Sequence, residues 1–535
     1  MKIFERVPKK KARFNTFPLP HTRKFSTQFG QLYVSQIIET NPNETFYLSS
    51  AHLVRMAPMI APLMHRVKVY NHHFFVPTRI LWDGWTKFYN GRAKAGQQDP
   101  PVMPFITLDS VNKDSLGNSL GMPAYAGGAN PLNVSAIPYA AYQKIWYEYF
   151  RDQNNQPEIP ELEEDGDLLI DGDNTASRQT MLKTFRFRCW QHDYFTSALP
   201  WTQKGPEATI PLGTAAPLQF LSGNTQSIVK DADGNAFGNT GQLSLSVAST
   251  STGVSEGGLR IDVGGGNFRT GQLDNSANMQ ADLSKATAAS INDLRRAFRL
   301  QEWLELNARA GTRYNETVIA HFDIDPGDSR VQRPVFIGGS GTPMVISEVL
   351  QTSSTDQTTP QGNMAGHGVG VGGKSGFKYR TREAGFIISL MSIMPLSAYQ
   401  QGIPKYFLKF DKFDYYWPSF ANIGEQAIEN RELYYDPNDS DEINAGTFGY
   451  IPRYAEYKYI PSTVHNSFVD SLDFWHLGRK FSQRPTLSEE FVECKGEQLS
   501  RIFTVPDQVN EQFYVLVQNN VRAKRPMPYF GVPTI

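Results

Sequence analysis

Two strand-like runs in "QLYVSQIIETNPNETFYLSS", residues 31 to 50, flank Asn41-Pro42-Asn43. Pro42 fixes its own φ and asparagine tolerates turn conformations, so the stretch predicts a first pair of β segments around a turn. In "RVKVYNHHFFVPTRILW", from Arg66, Val67 and Val69 alternate with Arg66 and Lys68 before the pattern turns apolar on both faces. That change predicts a strand entering a core. Strand-like sequence returns near the end of the chain in "FYVLVQNNV", from Phe513.

Helical spacing appears in two places. "PYAAYQKIWYEYFRD", residues 138 to 152, places Pro138 in a first turn and Tyr142, Ile145, Trp146 and Tyr149 on one face. Farther on, Ser290 and Asp293 form a capping-box pattern, Leu294, Ala297, Phe298, Gln301 and Leu304 follow one face, and Gly311 offers a stop.

Other stretches break both periods. Between Leu221 and Ser284, Gly, Ser, Thr, Asn and Asp dominate, and only short alternations such as "LSLSV" and "LRIDV" suggest strands. This reads as a long surface insertion. A second stretch, "QTSSTDQTTPQGNMAGHGVGVGGKSG" from Gln351 to Gly376, reads as a flexible loop. No repeat at 20 to 50 residues is visible, which argues against a solenoid or propeller. Modest β segments with very long connections predict an all-β sandwich carrying large insertions and a few helices.

Composition narrows the class without overturning it. The chain has 535 residues, 20% of them charged, and a formal net charge of −1, an ordinary globular balance. Cys189 and Cys494 cannot supply a disulfide framework for this length, which points to assembly in a reducing place. The longest strongly apolar run, "GFIISLMSIMPL" from Gly385, is 12 residues, too short for a membrane span, and "MKIFERVPKKKARF" lacks the apolar core of a signal peptide. Charge is nevertheless uneven. Residues 1 to 24 hold eight Lys or Arg against the lone Glu5, and residues 157 to 173 hold eight acids and no base. The first block is a basic arm suited to a polyanion; the second reads as a solvated loop.

Candidate chemistry mostly dissolves on inspection. "GVGVGGKS", Gly368 to Ser375, satisfies the phosphate-loop pattern, but that loop needs a buried strand before it and a helix after it, and neither is predicted here. "DADGN", from Asp231, begins like a calcium loop, yet Ala236 replaces the turn glycine and Gln242 the bidentate glutamate. His65, His72 and His73 crowd nine positions. In a strand His72 and His73 point to opposite faces, with His65 in phase with His73, so no single ion is gripped and structural roles are expected. No G-x-S-x-G elbow occurs, "GGSGT" at 338 to 342 being a near miss, and no catalytic residue, metal ligand or cofactor site is assigned. Nucleic-acid binding fares better. Lys9, Lys10, Lys11 and Arg13 are interleaved with Phe4, Phe14 and Phe17, and Arg522, Lys524 and Arg525 precede Tyr529 and Phe530. Cations neutralise phosphates and rings stack on unpaired bases, so the seven cations are the candidate single-strand contacts; soluble charged termini are the plainer alternative.

Longer signatures point to a family. "VRMAPMIAPLMHRVKVYNHHFFVPTRILWDGW", "RLQEWLELNARAGTRY", "SEVLQTSS", "PQGNMAGHG", "YQQGIPKYFLKFDKFDYYWPSFANIGEQAI", "FGYIPRYAEYKY" and "LDFWHLGRKF", in that order, resemble the major capsid proteins of the microviruses, small single-stranded DNA bacteriophages, and of their gokushovirus branch in particular. The resemblance runs from about Gln28 to the C-terminus.

It implies one eight-stranded antiparallel jelly-roll domain over residues 1–535, with a basic arm at 1–27, a surface insertion at 222–284 forming a three-fold protrusion, and the loop at 351–376. It further implies a T=1 icosahedral shell around circular single-stranded DNA, built in the host bacterial cytoplasm and found in the virion. Implied partners are copies of the chain across five-, three- and two-fold contacts, an internal scaffolding protein, a DNA pilot protein, a small basic DNA-packaging protein and a host surface receptor, with no membrane insertion. Aromatic stretches such as "FDYYWPSFANIG" would then be buried between subunits. A carbohydrate-binding or carbohydrate-hydrolysing β-sandwich shares the fold class and aromatic content and is the alternative.

Overall fold

The alternation that begins at Phe513 is realised as one long strand whose odd-numbered residues are buried as far as Ala523, while its even-numbered ones turn outward. The computed structural model describes residues 13–530 apart from 91–100, 129, 160–175, 207–217, 221–228, 232–258, 263–267, 274–278, 282–290, 312 and 351–363. Two compact units divide the chain: residues 1–204 with 305–535, and residues 205–304.

The first unit is built on β1 (Asn15–Pro18), β2 (His21–Thr27), β3 (Tyr33–Thr40), β4 (Thr45–Met56), β5 (Val67–Pro77), β6 (Val335–Pro343), β7 (Val345–Leu350), β8 (Met364–Arg380), β9 (Gly385–Pro395) and β10 (Phe513–Arg525). A six-stranded sheet runs β1-β10-β4-β8-β7, with β2 also on β10, and a four-stranded sheet runs β6-β5-β9-β3. Every pairing is antiparallel. Val54, Val515 and Val517 of the first sheet share a cluster with Val69, Met391 and Ile393 of the second, and Phe46 and Val521 meet Phe75 and Ile387 in another. The sheets therefore face each other across a common core, and the all-β reading holds.

The first predicted β pair departs from expectation in its partners. β3 and β4 flank Asn41-Pro42-Asn43, but they lie in opposite sheets, so the connection arches across the sandwich. Asn43 takes φ +67°, and the Glu44 carboxylate accepts from the Asn41 N–H at 3.0 Å. Fully buried, Glu44 also faces Arg525 at 3.4 Å. The arch is thus anchored by a charge pair that ties it to the far end of the chain.

Two other expectations are corrected. Residues 15 to 27 of the predicted arm are not free; they form β1 and β2 along the edge of β10. Their alternating half-buried and exposed positions, with three Thr and the adjacent Arg23 and Lys24, suit an edge strand. The second half of the predicted 351–376 loop is strand β8 instead, and residues 351 to 363 lie outside the described residues. Its glycines serve close packing: a Cβ on Gly368 would sit 2.6 Å from the Met56 sulfur, and one on Gly366 2.3 Å from the Ala61 carbonyl oxygen. The phosphate-loop lookalike is therefore strand backbone paired between β4 and β7, with a register shift between Gly372 and Ser375.

The apolar run at 385 is β9, buried on both faces. One face meets the six-stranded sheet; the other packs, with β3 and β5, under helix α1 (Ile137–Tyr149), which corresponds to the predicted 138–152. This helix is buried nearly all round, so its polar groups need partners. The Tyr142 hydroxyl donates to the Leu32 carbonyl at 3.0 Å, Gln143 donates to Leu182 and Thr184, and Lys144 pairs with Glu148 at 3.3 Å. Helix α2 (Ile291–Ala310) ends at Gly311, φ +105°, as expected; Ser290 lies outside the described residues. In the second unit, short antiparallel ladders join 259–262 and 229–231 to 268–273, and 218–220 to 279–281. Asp231 of the calcium-like stretch ends a strand, and "LSLSV" falls outside the described residues. Among the described residues no helix is long and apolar enough to cross a membrane, and no group of three or more His, Cys, Asp or Glu is placed to hold a metal ion.

The histidines separate as strand geometry requires. His73 points between the sheets, 1% exposed, with Nδ1 2.6 Å from the Ser389 hydroxyl and its ring beside Phe377. His72 points the other way, among Phe74, Phe150 and Phe336. His65 precedes β5, with Nε2 2.5 Å from the Leu396 carbonyl oxygen, so the in-phase reading does not apply to it. Burial pushes the His73 pKa down to about 4, against an unfolded value of about 6.5. Stability from the neutral ring is fully present above the unfolded value and is lost as pH falls toward 4, about 3 kcal/mol for this group. Urea unfolding at pH 7 and pH 4 should register that loss, and His73→Gln should flatten part of it. An unchanged slope in the variant would count against this role.

Candidate nucleic-acid face and aromatic shelf

Alternation along β10 sends Arg522 and Lys524 to the outer face of the six-stranded sheet. Register then assembles a site from distant sequence. Pro18, Arg522, Tyr47 and Lys378 lie directly across β1, β10, β4 and β8; one row on lie Thr16, Lys524, Thr45 and Arg380. Neighbouring strands are about 4.8 Å apart, so four cations occupy two adjacent rows. Strands β1, β2, β4, β8 and β10 contain no Asp or Glu. None of the four cations has a carboxylate partner among the described residues.

Aromatic rings accompany the charge. The Arg522 guanidinium lies 5.6 Å from the Tyr47 ring centre and the Lys378 ammonium 5.7 Å from it, within cation–π range. Lys524 stands 5.7 Å from the exposed Phe14 ring, next to exposed Arg13. A hollow of about 480 Å³ opens between Pro18, Pro20, Tyr47, Phe377, Lys378 and Arg522. Cations, rings and an absence of carboxylates are what a single strand's phosphates and bases require.

Not every expected residue joins this face. Arg525 takes the inward parity, facing buried Glu44 and donating to the Glu39 carbonyl at 3.2 Å, so it serves the arch. Lys9, Lys10 and Lys11 lie outside the described residues. Tyr47, Lys378 and Arg380 were missed, because only the pairing of β4 with β8 and β10 brings them together.

A second surface lies in the connection from β9 to β10. Tyr406, Phe407, Phe410, Tyr415, Tyr416 and Ile423 are exposed, Phe410 by 85%. The backbone beneath them is pinned. Asp414 accepts from the Phe410 and Asp411 N–H groups, which holds its carboxyl below the usual range. The Trp417 indole donates to the Lys412 carbonyl at 2.8 Å, and its backbone N–H to the Tyr454 hydroxyl at 3.2 Å. Lys405 bridges Glu429 and Glu432, and Lys409 bonds Glu456. The result is an apolar shelf of exposed aromatic side chains on a hydrogen-bonded backbone, and exposed apolar patches mark interaction sites.

A family profile described as "Capsid protein (F protein)" matches residues 5–535. The chain is 32% identical to capsid protein VP1 of Chlamydia phage 1, over 99% of this chain and 97% of the relative. It is 33% identical to capsid protein VP1 of Bdellovibrio phage phiMH2K, over 97% of each. Against capsid protein VP1 of Spiroplasma virus 4 the identity is 31%, over 96% of this chain and 94% of the relative.

Proposed function

Because the chain belongs to the phage capsid protein (F protein) family, we propose that its copies close a T=1 icosahedral shell around circular single-stranded DNA, meeting across five-, three- and two-fold axes. It is a structural capsid protein of the virion and not an enzyme, so the carbohydrate-active alternative falls. The aromatic shelf supports the shell reading: its backbone is held by its own hydrogen bonds and its side chains are exposed and largely apolar, which lowers the ordering cost of docking another subunit. Electron microscopy of the expressed chain with its scaffolding partner tests it, closed particles of T=1 size being expected and persistent monomers counting against it.

Strand order supports the eight-stranded jelly roll. With β1 and β7 set aside as additions, β2-β10-β4-β8 faces β3-β9-β5-β6, and successive strands mostly change sheet, as in this double Greek key. In this reading the cationic outer face of the six-stranded sheet meets the genome. Arg522→Glu with Lys378→Glu should weaken binding of an oligothymidylate at least about tenfold and flatten its salt dependence, by about 0.7 in slope for each phosphate no longer neutralised. Filter binding across a salt series checks this; an unchanged slope would remove the face from the genome contact.

Residues 222–284 are proposed as the three-fold protrusion that meets the host receptor, supported by their place between β5 and β6 and within the separate unit 205–304. Deleting them should abolish adsorption while particles still form; failed assembly would make the segment structural. The scaffolding, pilot and small basic packaging proteins complete the proposed partners, on family membership alone.

A further inference from the structure

Beneath the end of α1, where His72 and Phe74 of β5 point away from the six-stranded sheet, lies a cavity of about 390 Å³. Its apolar wall is aromatic: Phe74, Phe150 and Phe336 have ring centres 5.4 to 5.9 Å from one another or from His72. Its polar wall is cationic and under-used. Arg188 stacks 4.5 Å from the Tyr70 ring centre, and its hydrogen bond to a side chain is a long 3.4 Å approach to the Ser392 hydroxyl. The groups that perturb it are phenol and thiols, with no carboxylate among them, while burial lowers its pKa. Arg151, 6% exposed, stacks 4.3 Å from the Tyr147 ring centre and donates through Nη1 to the Gln156 and Pro157 carbonyls, but among the described residues its buried Nε–H has no acceptor. The Nδ1 of His72 is likewise buried and has no partner among the described residues.

Among the described residues, neighbouring charges do not balance these cations. Arg313 is occupied by Glu316 at 3.1 Å and Glu148 at 4.0 Å. Asp152 also lines the cavity, its Oδ1 accepting from the Asn154 and Asn155 N–H groups at 2.9 Å. Among the described residues, Arg151 and Arg188 against Asp152 leave one positive charge uncompensated. Buried charge without a partner is costly, and an aromatic cavity with a few converging polar groups is the form a ligand site takes.

We propose that this cavity binds a carboxylate carried on an aromatic or apolar body, the anionic group on Arg188 and the body against Phe74, Phe150 and Phe336. A single excess charge beside Asp152 matches a monoanion and opposes a phosphate dianion. The cavity also lies across both sheets from the candidate nucleic-acid face, which separates this site from any genome contact. The acid belongs either to a free small molecule or to the aromatic C-terminus of a polypeptide.

Isothermal titration of the full chain with phenylacetate, 2-phenylethanol and inorganic phosphate tests it. Phenylacetate should bind saturably and at least about tenfold tighter than the neutral alcohol, the size of one charge-assisted hydrogen bond. Arg188→Met should remove that preference. Equal binding of acid and alcohol, competition by phosphate, or no binding would overturn the proposal. Should Arg188→Met fail to fold, ¹³C-labelled phenylacetate on the wild-type chain, displaced by N-acetylphenylalanine but not by its carboxamide, supports the site; displacement by both overturns it. A phenylalanine-terminated hexapeptide that binds more tightly than N-acetylphenylalanine identifies a polypeptide source, and equal affinity identifies the small molecule.

Discussion

Replacing both Phe407 and Phe410 by aspartate should leave the subunit folded and abolish closed particles. Both side chains are largely exposed, 64% and 85%, so the core hardly depends on them, and surface changes of this kind usually alter stability by no more than about 0.5 kcal/mol. The hydrogen bonds that pin the shelf come from Asp414, Trp417, Lys405 and Lys409, none of which is touched. At a subunit interface the balance differs. A carboxylate driven into an apolar interface without a partner costs several kcal/mol, and a closed shell repeats that cost at every equivalent interface. Circular dichroism should give superimposable melting curves, while sedimentation and electron microscopy find unassembled protein. Particles in normal yield would show that the shelf faces solvent or another partner in the virion.

How much of this was legible in the sequence depends on the range of the interaction that fixed it. The strand parity of residues 513 to 525 is local, and the opposite orientations of His72 and His73 follow from it without knowledge of a partner. The two-sided burial of β5 was legible as well, since only a strand covered on both faces sustains "HHFFV". The span of α1 and the Gly311 stop follow from spacing and backbone chemistry. By contrast, the arm became β1 and β2 because β10, some 500 residues away, offered an unpaired edge. The Gly-rich 364–376 stretch looked like a loop because composition cannot distinguish glycine chosen for flexibility from glycine chosen for close packing against Met56 and Ala61.

The candidate face divides along the same line. Arg522 and Lys524 were found from their cluster of charge, but Arg525 was grouped with them although the period-two rule places it on the other side. Its true partner, Glu44, is beyond any local pattern. Tyr47, Lys378 and Arg380 carry no local signal at all. Only the absence of acids from β1, β2, β4, β8 and β10 could have drawn notice to them beforehand.

Asp193→Ala should destabilise the subunit by about 2–5 kcal/mol, because one buried carboxylate holds together two connections that sequence separates by some 200 residues. Its Oδ1 accepts from the N–H groups of Phe195 and Thr196 at 2.9 and 2.8 Å and from the Thr196 hydroxyl at 3.0 Å, closing a local turn. Its Oδ2 accepts from the Ser397 hydroxyl and, at 2.6 Å, from the Tyr399 hydroxyl. Burial, reinforced by Asp193 itself, raises the Tyr399 pKa well above its ordinary value, so the phenol remains a donor. Alanine would leave both hydroxyls buried with no acceptor from this residue. Asparagine keeps the Oδ1 bonds but presents an amide to Ser397 and Tyr399, so Asp193→Asn should fall between wild type and alanine. Ser397 and Tyr399 stand at the root of the segment that carries the aromatic shelf. Losing their anchor therefore differs from altering the shelf itself: the melting temperature of the unassembled subunit should drop first, and assembly should fail only as a consequence. Urea unfolding of the three proteins decides it, and a loss below about 1 kcal/mol for Asp193→Ala would mean that other acceptors replace the carboxylate.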